Sequence, residues 1–347
     1  RQELIEWMAR RSGFPLKSPA PTALPELSIA VASAYASAVV IADWIASNED
    51  YFPLRPQAGR ERELTADEQW ERAERGWESA DMPRPMMVPA TAGGSPESYY
   101  RHRFGWGSAI TPTDAQIAAV RLAEEADPDL MIVEAPPGSG KTELAFAVAE
   151  RMVRSRGLQG VFIGLPTQAT TNAMFERATK WLTNLLGDSP QRLGIHLAHG
   201  KNDLNDAFVE LLDRDRGYPV QVHDEEEGRS GEDYSSLRAS TWMAGRWRAT
   251  LSPVVIGTID QVLLTALKSR HVLVRHLGLM GKAVILDEVH AADTYMGTYL
   301  KAALTWLGMY GIPVVLLSAT LPAERRIELA EAYRRGRCHR EVDDRAR

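Results

Sequence analysis

Residues 131–142 read MIVEAPPGSGKT: an apolar run, a glycine-rich turn, then the start of the amphipathic stretch Thr142–Ser155. A strand that ends in such a turn and feeds a helix is the opening of a parallel βαβ unit. The pattern recurs downstream in VFIGL (161–165), LGIHLAH (193–199), VVIGT (254–258), AVILDE (283–288) and VVLLSAT (314–320), with helical windows such as Gln168–Leu186 between them. Runs that are apolar at every position belong to strands covered on both faces. The chain is therefore expected to fold as α/β, with a mainly parallel sheet flanked by helices. Ligands of such sheets gather at the C-terminal strand ends, so the residues just after each run carry the chemistry.

The first such end is APPGSGKT, residues 135–142. Gly138 and Gly140 let the backbone wrap phosphate oxygens without Cβ clashes, and Pro137 and Ser139 complete the cradle. The helix that follows adds its N-terminal partial charge. Lys141 reaches terminal phosphates and the Thr142 hydroxyl can ligate Mg²⁺. The alternative is a plain glycine-rich turn without a ligand. A second end, AVILDEVH, closes an apolar strand with two acids. Adjacent carboxylates at such a mouth are costly unless they bind a cation or do chemistry. Asp287 is expected to hold Mg²⁺, and Glu288 to deprotonate an attacking water, with His290 two residues on. Here the alternative is an acid pair capping a helix.

With 347 residues, 44% of them hydrophobic, the chain can bury one large domain and a smaller piece. Its formal net charge of -6 argues against a broad phosphate-attracting field, leaving nucleic-acid contact to local patches and backbone N–H groups. A single cysteine, Cys338, rules out a disulfide framework and suits the cytoplasm. The apolar run Leu27–Ala42 is short for a membrane span and reads as a buried helix. Residues 1–55 read as helices, Thr65–Ala80 as a charged helix, the Pro- and Gly-rich stretch 81–108 as linker, and 201–250, with DEEEG at 224–228, as an acidic insertion. His196 and His199 sit three apart on a strand, on opposite faces, so they should not share a metal. STWMAGRWRA (240–249) reads as Trp packing rather than base stacking. The start at Arg1 and the charged last residues, 334–347, suggest a fragment.

In order, APPGSGKT, PTQATTNAMF (166–175), GTIDQVL (257–263), DEVH (287–290) and SATLP (318–322) resemble the first RecA-like P-loop lobe of a superfamily 2 helicase. The wording looks like the CRISPR-associated helicase–nuclease of type I systems, subtype I-E. A DEAD-box RNA helicase would show Asp where His290 stands.

By that resemblance ATP and Mg²⁺ are the cofactors. Pro166, Thr167, Gln168, Thr170, Thr258, Asp260 and Gln261 would contact single-stranded DNA, ordinary helix capping being the alternative. Ser318, Ala319 and Thr320 would couple hydrolysis to lobe movement, or else be a buried strand end. TPTDAQ (111–116) is similar to the adenine-reading motif, with Gln116 as reader and Phe104 or Trp106 stacking; otherwise Gln116 is a surface helix residue.

ADWIAS (42–47) is similar to the closing motif of an HD nuclease domain, which would make Asp43 a ligand of a divalent transition metal and Ser47 its neighbour. Without the resemblance Asp43 reads as a buried, hydrogen-bonded acid. The family's earlier His and His-Asp ligands have no counterpart, so this chain alone is not expected to cut DNA.

The implied organisation is an all-α tail of an HD-type domain (1–55), a linker (56–108) and the first helicase lobe (109–347). The resemblance further implies recruitment by an RNA-guided surveillance complex, Cascade, and no membrane partner. A second lobe is not recognisable, so the chain alone is expected to bind ATP weakly and turn it over negligibly. The rival readings are another superfamily 2 translocase or helicase, and a nucleotide-binding module without turnover.

Overall fold

The computed structural model describes residues 27–53, 64–80, 82, 84–89, 95–187, 189, 193–198, 237–238, 248–269, 271–291 and 294–345. A seven-stranded sheet is built from β1 (Leu130–Glu134), β2 (Gly160–Leu165), β3 (Leu193–Ala198), β4 (Leu237–Arg238), β5 (Val254–Thr258), β6 (Lys282–Leu286) and β7 (Val314–Ser318). Its spatial order is β1-β7-β6-β2-β5-β3-β4, and every pairing is parallel. The chain is α/β, as the apolar runs predict.

Helices α1 (Ile29–Ala46), α2 (Ala66–Ala80), α3 (Pro96–Phe104) and α4 (Asp114–Glu125) precede the sheet. Within it come α5 (Lys141–Arg156), α6 (Gln168–Leu186), α7 (Asp260–Leu263), α8 (Val272–Leu279), α9 (Thr294–Tyr310) and α10 (Ala323–Arg345). Alternate strand residues divide the core in two. Val161, Ile163, Ile256, Ile285 and Leu317 pack with Phe146, Met152 and Trp181 of α5 and α6. Phe162, Val255, Val284 and Leu316 pack with Leu300, Leu304, Leu329 and Tyr333 of α9 and α10. Both faces are covered, which is why the strands read as unbroken apolar runs.

Two expectations change. The helix α1, expected to be buried, is buried along one face only: Ser37, Ile41 and Ile45 are covered, while Ile29, Tyr35 and Val39 are exposed. The buried face docks on α8, where Ile41 and Ile45 meet Val274 and the Ser37 hydroxyl reaches the Leu273 carbonyl at 2.8 Å. By length and hydropathy α1 would also pass as a membrane span. The second change is in 81–108, where the Pro- and Gly-rich composition hid α3. Ser95 caps α3, and Tyr100 within it is fully buried. His199, the acidic DEEEG loop and residues 240–247 of the Trp-rich segment lie outside the described residues.

Candidate nucleotide site

Five sequence segments converge at the C-terminal edge of the sheet. The order places β7 between β1 and β6, so the turn after β1 and the acids after β6 flank the end of β7. Gly138 and Gly140 take left-handed φ of 76° and 79°, and Gly140 is the N-cap of α5. The turn is pinned where Ser139 N–H and its hydroxyl both reach the Pro136 carbonyl, at 3.3 and 2.7 Å. Pro137 and Gly138 are exposed on its outer side. Lys141 and Thr142, the first residues of α5, are each only 8% exposed. Among the described residues the Lys141 ammonium has no hydrogen-bond partner. A buried cation left without acceptors is costly, and here it faces an acid: Nζ lies 4.0 Å from Glu288 Oε1.

Asp287 follows β6, and its N–H bonds the Gly164 carbonyl at 2.8 Å. Its own Oδ1 accepts the Glu288 N–H at 2.8 Å. Burial pushes the Asp287 carboxyl above the ordinary range and the Glu288 charge adds to it, against the Glu288 N–H bond and, more weakly, Lys141 and Arg177, which pull it down. Glu288 has a left-handed φ of 53°, a conformation that costs a non-glycine residue about 1–3 kcal/mol and clusters at functional sites. These two acids and Lys141 form a donor set suited to a magnesium-bound phosphate, with Thr142 beside them.

His290 links this edge to β7. The Ser318 hydroxyl donates to the Thr320 carbonyl at 2.8 Å, and its oxygen lies 3.2 Å from His290 Nδ1. His290 Nδ1 also lies 3.1 Å from Glu288 Oε2. The Ala319 N–H donates to the same nitrogen at 3.4 Å. Ser318 is fully buried, Thr320 exposed.

Gln116 is neither on the surface nor facing outward: it is 1% exposed. Its Oε1 accepts the Thr113 N–H at 2.9 Å and its Nε2 donates to the Gly140 carbonyl at 3.1 Å. Phe104 and Trp106 stack on Tyr100, with centroids 5.5 and 5.2 Å away. Farther along the edge, Pro166 to Thr170 open α6. Thr167 and Thr170 do cap one another, through N–H···Oγ1 bonds of 3.2 and 3.3 Å. Thr167, Gln168 and Thr170 are nevertheless exposed, at a helix start whose first N–H groups have no intrahelical acceptor. Thr258 is buried, Asp260 exposed and Gln261 half-buried. Gln261 Oε1 accepts from Nη1 of Arg275, a residue the sequence reading passed over. An arginine inside the apolar octet of α8 was the available signal. Arg177, half-exposed on α6, bonds Glu143 of α5 at 2.6 Å and was missed for want of any motif.

Known proteins resemble this chain. The family model described as "Cas3, HD domain" matches residues 1–52. The CRISPR-associated nuclease/helicase Cas3 of Streptococcus thermophilus is 36% identical across 97% of this chain. The chain belongs to the Cas3 family. It spans about a third of that relative, 34% of its length. The crystal structure of T. fusca Cas3-ATP superposes with a TM-score of 0.73 at 29% identity, over 96% of this chain and 34% of that one. A CRISPR RNA-guided surveillance complex in a pre-nicking state contains a chain that matches with a TM-score of 0.56 at 26% identity, over 98% of this chain and 30% of that one.

The Cas3 HD match ends just past α1, and there the structure departs from the buried acid that Asp43 suggests on its own. Asp43 and Ser47 are exposed, on the side of α1 away from α8. One carboxylate and one hydroxyl are too few to hold a two-metal centre. Among the described residues no group of three His, Cys, Asp or Glu side chains could hold a metal ion.

Proposed function

We propose that this Cas3 segment is the nucleotide-binding lobe of an ATP-driven motor that moves along single-stranded DNA and feeds it to the attached metal-dependent nuclease domain. The activity belongs to type I CRISPR interference, subtype I-E, in the cytoplasm. One observation carries the reading: among the described residues the buried Lys141 ammonium has no hydrogen-bond partner, and it faces Glu288 across the gap between the glycine turn and the acids. Lys141 and the N–H groups of 138–142 would hold the phosphates of ATP, while Thr142 and Asp287 would hold Mg²⁺. Bound ATP supplies the phosphoanhydride whose in-line cleavage by water drives the stroke. Glu288 holds that water and takes its proton, and His290 transmits the state of Glu288 to Ser318 and Thr320.

The exposed α6 start at Thr167, Gln168 and Thr170, together with Asp260 and Gln261, would offer backbone N–H and amide groups to DNA phosphates. That mode suits a net charge of -6. Asp43 would contribute one ligand to the nuclease metal of the longer protein. The surveillance-complex match supports recruitment by an RNA-guided complex such as Cascade.

The test is equilibrium binding of Mg²⁺·ATP to this chain by calorimetry. Wild type should bind, with turnover negligible in the chain alone, and Lys141→Ala should weaken binding by about a hundredfold, the loss expected for a charge-assisted contact. Equal binding by wild type and Lys141→Ala would refute the nucleotide site.

A further inference from the structure

We propose that Arg177 keeps the phosphate turn open by holding back Glu143, the acid in the first turn of α5. The inference rests on the reading of 135–142 as a nucleotide phosphate site, and its own warrant is the direction taken by the Glu143 carboxylate. With Gly140 as N-cap, Glu143 is the third residue of the helix. A glutamate at that position ordinarily folds back and accepts the N-cap N–H, as half of a capping box. This chain does so at α2, where Glu68 Oε2 accepts the Thr65 N–H at 2.9 Å. In α5 the same move would place a carboxylate on the Gly140 N–H, at the helix end where the phosphates are to bind. Glu143 turns elsewhere: its Oε1 accepts from Arg177 Nη2 of α6 at 2.6 Å.

Packing farther along the two helices sets Arg177 opposite this acid. Glu143, Phe146 and Glu150 follow one another at helical spacing along one side of α5, as Arg177 and Trp181 do on α6. Phe146 stacks on Trp181 with centroids 4.4 Å apart, and the Trp181 indole N–H bonds Glu150 at 2.6 Å. All three are buried, so the guanidinium stands one turn from a fixed ring. The restraint is also close to what it protects. A Cβ on Gly140 would stand 3.8 Å from Glu143 Oε2, so the released carboxylate would need only a short swing to reach the turn. There it would compete with phosphate both as an acceptor and by its charge. The pair itself is partly exposed and adds little to stability, which suits a role in the site rather than in the fold. Arg177 is thus a positioning residue: it acts on the phosphates through Glu143.

A double-mutant cycle isolates this role. Mg²⁺·ATP binding is measured by calorimetry on wild type, Arg177→Met, Glu143→Ala, the double variant and Lys141→Ala, alongside thermal unfolding. Methionine keeps an apolar stem at 177, and alanine at 143 has no oxygen with which to cap. Arg177→Met should weaken binding by about tenfold, the worth of one capping interaction that the phosphates must displace. Glu143→Ala alone should bind near wild type, and the double variant should recover the loss, with unfolding midpoints close throughout. A double variant as weak as Arg177→Met would mean that Arg177 acts on the phosphates or on Asp287 directly, and would overturn the proposal. Strict additivity, with Glu143→Ala tightening binding as much as Arg177→Met weakens it, would reduce the pair to net charge and overturn it too, as would undiminished binding by Arg177→Met. If Lys141→Ala bound as wild type does, the phosphate-site reading itself would be wrong; a loss in Lys141→Ala with none in Arg177→Met would sink only the role of Arg177.

Discussion

At Asp287 the cost of the site is concentrated in one side chain. Burial is the larger cause of its raised pKa and the Glu288 charge the next raising one, so the folded chain holds the proton more tightly than the unfolded chain does. For an acid with a raised folded pKa, stability is lowered at pH above that value and recovers as pH falls through it. Asp287→Asn keeps an oxygen for the Glu288 N–H and removes the charge. The ligand-free variant should therefore melt higher than wild type at neutral pH and lose the difference in acid. Saturating Mg²⁺·ATP should raise the wild-type midpoint by mass action and leave the variant much less affected. Melting curves across pH, with and without nucleotide, check both halves. A variant less stable than wild type at neutral pH would mean that the carboxylate is structural.

Among the elements, α3 shows how a short segment becomes indispensable. Arg103 at its end reaches Glu150 of α5 at 2.8 Å and the Asn184 carbonyl of α6 at 2.8 Å. The Glu150 carboxylate, 2% exposed, also accepts the Trp181 indole N–H at 2.6 Å. Removing one member strands a buried charge, so Arg103→Ala should cost about 3–5 kcal/mol by urea denaturation. The pair Arg103→Met with Glu150→Leu should recover most of that loss, and strictly additive effects would contradict the account. This network was not legible in the sequence. It joins residues 81 apart, and the Pro- and Gly-rich stretch around α3 reads as linker. The strands were legible because burial on both faces leaves runs such as VFIGL and VVIGT, whose bounds the structure keeps within a residue. The meeting of Lys141 with Glu288 followed from two motifs at strand ends. Gln116 was found by its motif and given a different surrounding, because a capping box and an outward-facing amide look alike until the tertiary partner, Gly140, is known.

On the scale of the whole molecule, α8 sits between α1 and the sheet-bearing lobe, and it covers the buried amine of Lys282. α8 receives α1 on one side through Ile41, Ile45 and Ser37, and on another gives Arg275 to Gln261. The Gly278 carbonyl at its C-terminal end and the Thr250 carbonyl both accept from the Lys282 amine, which is 3% exposed. A helix C-terminus favours a cation, but burial dominates and lowers the Lys282 pKa from 10.5 to about 7. Between those two values the unfolded chain binds a proton that the folded chain has released, so stability must climb as pH rises across the window. The slope for one proton is at most about 1.4 kcal/mol per pH unit. Below about 7 both states are protonated and this contribution is flat. Lys282→Met removes the titration while keeping the length of the stem, so its urea midpoint should lack the rise that wild type shows above neutrality. Parallel pH profiles for the two proteins would place the proton uptake elsewhere and leave the amine charged between its two carbonyls.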